Sequence, residues 1–142
     1  MRWLLIDEVV SIQKGVSAVT KSRIPSLDAS SELLMIEMMA QTGGMLLGAF
    51  DDYTTDVIFA KIENAQFSSD WQAGEPIEIS ATSENLRTEG AWIDGEIKNE
   101  SGCVAKARLL LMNAGKLNAA GDSSTTFHPA FMNHFKIREK VR

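Results

Sequence analysis

Asp28-Ala-Ser-Ser-Glu-Leu-Leu-Met-Ile-Glu-Met-Met-Ala-Gln-Thr-Gly-Gly-Met-Leu-Leu-Gly-Ala-Phe50 is the stretch around which the rest of the chain must be arranged. Asp28, Ser30 and Ser31 are side chains that accept hydrogen bonds from the open amides of a first helical turn, and Glu32 follows with a charge that suits the positive end of the helix dipole. From Leu33 to Leu47 apolar residues occur on every side, and Gly48 offers an exit, so the spacing predicts a long central helix with no clear solvent face. Two side chains conflict with that setting. At about 100° per residue Glu37 and Gln41 fall one turn apart on one face, beside Leu34, Met38 and Met45, with Gly44 offering bare backbone nearby. Desolvation disfavours the charged form of a carboxyl group, and an acid so placed becomes a proton donor usable near neutral pH. The alternative is a core carboxyl satisfied by local hydrogen bonds, or one that faces a dimer interface.

The chain has 142 residues, 44% of them hydrophobic and 23% charged, which suits one soluble globular domain with one core. The apolar run around Leu33–Met39 is interrupted by Glu37 and too short to span a bilayer. Met1-Arg2-Trp3-Leu4-Leu5-Ile6 is cut off by Asp7 and Glu8, so it reads as a strand and not as a leader. A lone Cys103 and the lack of any Cys/His spacing point to no disulfide, no metal and no cofactor, and favour the cytoplasm. The net charge of −5 argues against nucleic acid as a partner. It is unevenly spread: Lys136, Arg138, Lys140 and Arg142 against Glu139 give the last fifteen residues +3. Such a basic tail is either a solvated end or a surface for an acidic partner.

Outward from the helix, Trp3–Gln13 and Val16–Lys21 read as strands joined at Lys14-Gly15, a hairpin, with Pro25 in the connector to the helix cap. Beyond the polar loop Asp51–Thr55, Val57–Ile62 is a strand leading into a bend through Glu63-Asn64-Ala65. Ile77, Ile79 and Ala81 alternate with Glu78, Ser80 and Thr82. Ala91–Lys98 and Cys103–Met112 complete an antiparallel meander, with turns at Glu89-Gly90 and Asn99–Gly102. The domain is expected to close at residue 113, leaving 114–142 as a loose linker through Thr126 and a basic tail in which Phe127, Phe131, Met132 and Phe135 form a short docking helix.

Hairpin, long buried helix and curling antiparallel strands are the element order of an α+β hotdog fold. Four phrases make the likeness specific: Trp3-Leu4-Leu5-Ile6-Asp7-Glu8-Val9, Met35-Ile36-Glu37-Met38-Met39-Ala40-Gln41-Thr42-Gly43-Gly44, Phe59–Phe67 and Ala73-Gly74-Glu75-Pro76-Ile77. In this order they resemble the 3-hydroxyacyl-[acyl carrier protein] dehydratases of fatty-acid and polyketide metabolism, whose central helix carries Glu-x-x-Ala-Gln. The resemblance implies a sheet wrapped around the helix, a homodimer or higher oligomer of dimers, and an acyl thioester on an acyl carrier protein or CoA as partner. It also implies Glu37 as the catalytic acid, with Gln41, Gly44 and Met38 at the substrate.

One part of the pattern is missing. The family's histidine lies in a His-Phe-Pro-Gly-x-Pro loop before the helix, and here the interval Ser22–Ser30 is shorter and holds no histidine. Either Glu37 acts alone, or His128 or His134, the chain's two histidines, fold back from the tail, or the chain keeps the acyl tunnel with impaired or altered chemistry. Two further readings stand beside dehydration. One is a hotdog thioesterase whose helix carboxylate activates water. The other is a non-catalytic acyl or carrier-protein binding subunit with Met35, Met38, Met39 and Met45 lining an adaptable tunnel, unless those methionines are plain core.

Overall fold

The computed structural model describes residues 4–26, 30–115 and 127–142. Strands β1 (Glu8–Gln13) and β2 (Ser17–Arg23) form the hairpin, and helix α1 (Ser31–Ala49) follows. Then come β3 (Asp56–Phe67), β4 (Pro76–Arg87), β5 (Gly90–Asn99), β6 (Gly102–Gly115), α2 (Pro129–Phe135) and α3 (Ile137–Lys140). The six strands make one antiparallel sheet in the order β1-β2-β4-β5-β6-β3, with the meander at its centre.

Period-two alternation sends Ile77, Ile79 and Ala81 of β4, Ala91, Ile93 and Ile97 of β5, and Ala105, Ala107, Leu109 and Leu111 of β6 to the inner face, where all are buried against α1. Burying one aliphatic side chain of this size contributes about 1.5–3 kcal/mol. The helix lies close to the sheet. A Cβ on Gly43 would stand 3.0 Å from both Ile93 and Leu111, and one on Gly95 would stand 2.8 Å from Met39, so the missing side chains set the spacing. A buried hydroxyl pair, Thr20 and Thr42 at 2.8 Å, ties β2 to α1, and Thr42 also reaches the Met38 carbonyl at 2.9 Å. Both threonines are fully buried, so neither hydroxyl could turn to water if its partner were lost.

Several boundaries differ from the sequence expectation. Leu4–Asp7 precede β1 without joining it, because the Leu5 backbone is taken up elsewhere: its amide is bonded to the Gln41 side chain and its carbonyl accepts from the Ser22 hydroxyl. Strand β3 does not end at Ile62. Asn64, at φ 57°, absorbs a shift in the β3–β6 register, and pairing resumes at Gln66–Lys106 and Phe67–Ala105. Ser30 is the N-cap of α1 but makes no side-chain cap bond; its carbonyl accepts from Leu34 at 3.1 Å, and the Ser31 hydroxyl donates to the Pro25 carbonyl. Asp28, the other expected cap, lies outside the described residues, as do residues 116–126 of the linker expected from 114, whose first two residues instead end β6. The helix also has an uncovered row. Leu33 is 64% exposed, and Glu37 and Gln41, each one turn further on, are half-buried.

The chain end closes the far edge of the sheet. Ile137 is fully buried, Val141 bridges Ile12 in parallel, and the Arg142 amide donates to the Ile12 carbonyl at 2.8 Å while Lys14 donates to the Arg142 carbonyl at 2.9 Å. These bonds occupy backbone groups that a free edge strand would otherwise present. The positive charge of the tail is partly met within the chain, where Arg138 pairs with Asp52. At the opposite edge β3 keeps Ile58, Phe59 and Ile62 exposed at 44%, 38% and 43%.

Candidate active site

The site is built on Gln41. Its Oε1 accepts from the Leu5 amide at 3.1 Å, which turns Nε2 toward Glu37, where it donates to Oε1 at 3.2 Å. A backbone donor has no freedom to become an acceptor, so the Leu5 amide fixes which end of the carboxamide faces the acid. One face of α1 thus presents a carboxyl group held by a neighbouring amide.

That face opens on a cavity of about 660 Å³, within the range of pockets that hold small-molecule ligands. Its walls come from five places. Leu4 stands at the N-terminal approach; Glu37, Ala40, Gln41, Gly44 and Met45 come from α1; Val57 and Phe59 from β3; Leu111 from β6; and Phe127, Ala130, Phe131 and His134 from the C-terminal segment. Among the described residues, Glu37, Gln41 and His134 are the three polar side chains in a lining that is otherwise apolar. The cavity thus combines apolar walls with a carboxyl, an amide and an imidazole group.

Of the residues singled out from the sequence, Glu37, Gln41 and Gly44 are brought together on this wall, and a Cβ on Gly44 would meet nothing within 4 Å. Met38 is not on it. It is fully buried, as are Met35 and Met39, because the turn of the helix that exposes Glu37 directs these methionines into the sheet; Met45 is the methionine that reaches the cavity. The connector after β2 is committed elsewhere. Ile24 is buried and exchanges backbone bonds with the β3–β4 turn, donating to Glu75 at 3.0 Å and accepting from Gly74 at 2.7 Å.

The two histidines have different fates. His128 is the N-cap of α2, its Nδ1 accepting from the Ala130 amide at 3.1 Å. His134 lies on the cavity with its ring edge-on to Phe135, centroids 4.8 Å apart. The aromatic part of this wall was visible in the sequence only as a possible docking helix. The available signal was the grouping of Ala130, Phe131 and His134 on one helical face, which does not say what the face meets. What fixes its place is Phe127, whose ring sits edge-on to Tyr53, centroids 5.0 Å apart, over the bare backbone of Gly48.

The sequence matches no family model and no curated protein. Solved structures do match it. The chain is similar to a component of the dehydratase heterocomplex ApeI:P from Xenorhabdus doucetiae, with a TM-score of 0.68 and 16% identity over 80% of this chain and 84% of that one. Similar too are smu.793 from Streptococcus mutans bound to acetyl CoA (TM-score 0.66, 15% identity, 82% and 94% covered) and the thioesterase HI1161 from Haemophilus influenzae (0.62, 14%, 79% and 81%). This chain has the hotdog fold, an antiparallel sheet wrapped around one long helix. Among the described residues no helix is long and apolar enough to cross a membrane.

Proposed function

We propose that this protein acts on acyl thioesters, removing water from a 3-hydroxyacyl chain or adding it back, with Glu37 as the acid that protonates the departing hydroxyl. The observation that carries the reading is the Gln41-held carboxyl on the wall of an otherwise apolar cavity. A general acid so placed supplies about 10²–10⁴ in rate. Gln41 positions it, and Gly44 leaves room for the acyl chain beside it. The substrate would be carried by CoA or an acyl carrier protein in the cytoplasm. A second copy would dock along the open β3 edge, whose exposed Ile58, Phe59 and Ile62 suit an isologous contact.

Hydrolysis of the thioester is the second reading, favoured by the likeness to HI1161 and by a carboxyl that, when ionised, can activate water. A single assay separates the two. Incubation with crotonyl-CoA and 3-hydroxybutyryl-CoA should interconvert them, with loss of about 100-fold or more in Glu37→Gln. Release of free thiol in its place, also lost in Glu37→Gln, would establish hydrolysis. Neither product from the wild-type protein overturns both enzymatic readings and leaves a binding subunit, and full activity in Glu37→Gln overturns the role given to Glu37 in both.

A further inference from the structure

We infer that His134 is the base that works with Glu37, so that one chain supplies both halves of an acid–base pair from opposite ends of its sequence. The inference rests on the acyl-thioester reading and goes beyond it by naming the second catalytic group and the segment that brings it. Three observations lead there. His134 and Glu37 line the same cavity, and with Gln41 they are its polar side chains among the described residues. His128, the other histidine, is occupied in capping α2. And α2 is held in place independently of any ligand, with Phe127 against Gly48 and Tyr53 before it, and buried Phe135 and Ile137 followed by the Arg142–Ile12 bond after it.

The step balances without a co-reactant. A ring nitrogen of His134 takes a proton from the carbon next to the thioester carbonyl, and the C–H electron pair becomes the new carbon–carbon π bond. The bond from the next carbon to its hydroxyl oxygen breaks, and that oxygen takes the Glu37 proton and leaves as water. Return of the imidazolium proton to the Glu37 carboxylate restores the site. In the reverse direction the same two groups add water across the double bond.

The test compares full-length wild type with His134→Ala, His134→Gln and Asn133→Ala on 3-hydroxybutyryl-CoA, with and without added imidazole. Asn133 is an exposed α2 neighbour outside the cavity lining, so its replacement controls for damage to the helix. The expected result is a fall in kcat of about 100-fold or more in both His134 variants with little change in KM, partial rescue of His134→Ala by imidazole, and an unchanged Asn133→Ala. Turnover within threefold of wild type in His134→Ala, while Glu37→Gln is inactive, overturns the inference and leaves the acyl-thioester reading intact. A loss that imidazole does not restore and that Asn133→Ala shares assigns His134 a structural role and also overturns it. No turnover by wild type removes both.

Discussion

Gln41 Nε2 donates to Glu37 Oε1 across one helical turn at 3.2 Å, and the same carboxamide accepts from the Leu5 amide at 3.1 Å. The acid is therefore aimed by a residue that is itself aimed by the backbone. Gln41→Leu keeps the approximate volume and removes both bonds. It should lower kcat on a 3-hydroxyacyl thioester by about 10- to 100-fold through misplacement of the acid, and cost about 1–3 kcal/mol if the Leu5 amide finds no water. Steady-state kinetics and urea unfolding check the two effects; unchanged kcat would show that Glu37 needs no such support.

Two glycines one turn apart on α1 should respond to alanine with opposite signs. A Cβ on Gly44 meets nothing, so Gly44→Ala should gain up to about 1 kcal/mol from helix propensity alone. On Gly48 the same Cβ would stand 2.5 Å from the Phe127 ring and 2.8 Å from Tyr53. Overpacking of this kind costs about 1–3 kcal/mol, more than the propensity returns. Gly48→Ala should therefore lower the melting temperature, and proteolysis should cut the C-terminal segment sooner. A stabilised Gly48→Ala would mean that Phe127 is not seated there.

Filling the cavity should separate binding from folding. Gly44→Leu puts a branched side chain on the wall of the cavity that Glu37 and Phe131 also line, at a position where a Cβ meets nothing, and its melting temperature should stay near that of wild type. Long acyl thioesters should lose turnover while the shortest retain it. A panel of chain lengths reads this directly, and equal rates across the panel would place the acyl chain elsewhere.

Tyr53, the single tyrosine, gives an alkaline prediction. It is 6% exposed, its hydroxyl has no hydrogen-bond partner among the described residues, and burial pushes its ionisation well above the ordinary 10.0, with Arg138 opposing and Asp52 adding. Because the folded value is the higher one, the unfolded chain releases this proton first. The contribution to stability is complete below pH 10 and declines as pH rises from there toward the folded value. Absorbance titration of the phenolate should show no native transition near 10, and Tyr53→Phe should flatten the alkaline loss without cost at pH 7. A native phenol that titrates at its ordinary value would refute this.

The fold was legible because its signals are local and agree with one another. The apolar helix between strand pairs, the alternation through Ile77–Ala81 and the turns at Lys14-Gly15 and Asn99–Gly102 each specify their own element. The ends of β1 and β3 were not legible, because a side-chain acceptor on the helix took the Leu5 amide and a left-handed Asn64 let pairing continue past an apparent bend. Met38 shows the limit of reading a helix face without the sheet that covers it. It shares a helix with Glu37, but only the position of β4, β5 and β6 decides which of the two is buried.

The sequence by itself determined a hairpin, one long apolar helix and an antiparallel meander, and placed Glu37, Gln41 and Gly44 on a common face, since a helix fixes the geometry of residues one turn apart. Only the tertiary structure decided that His134 lines the same cavity as that face. Its distance along the chain from Glu37 is bridged by Phe127 seating over Gly48 and by Arg142 pairing with Ile12, long-range contacts whose partners no local pattern can name.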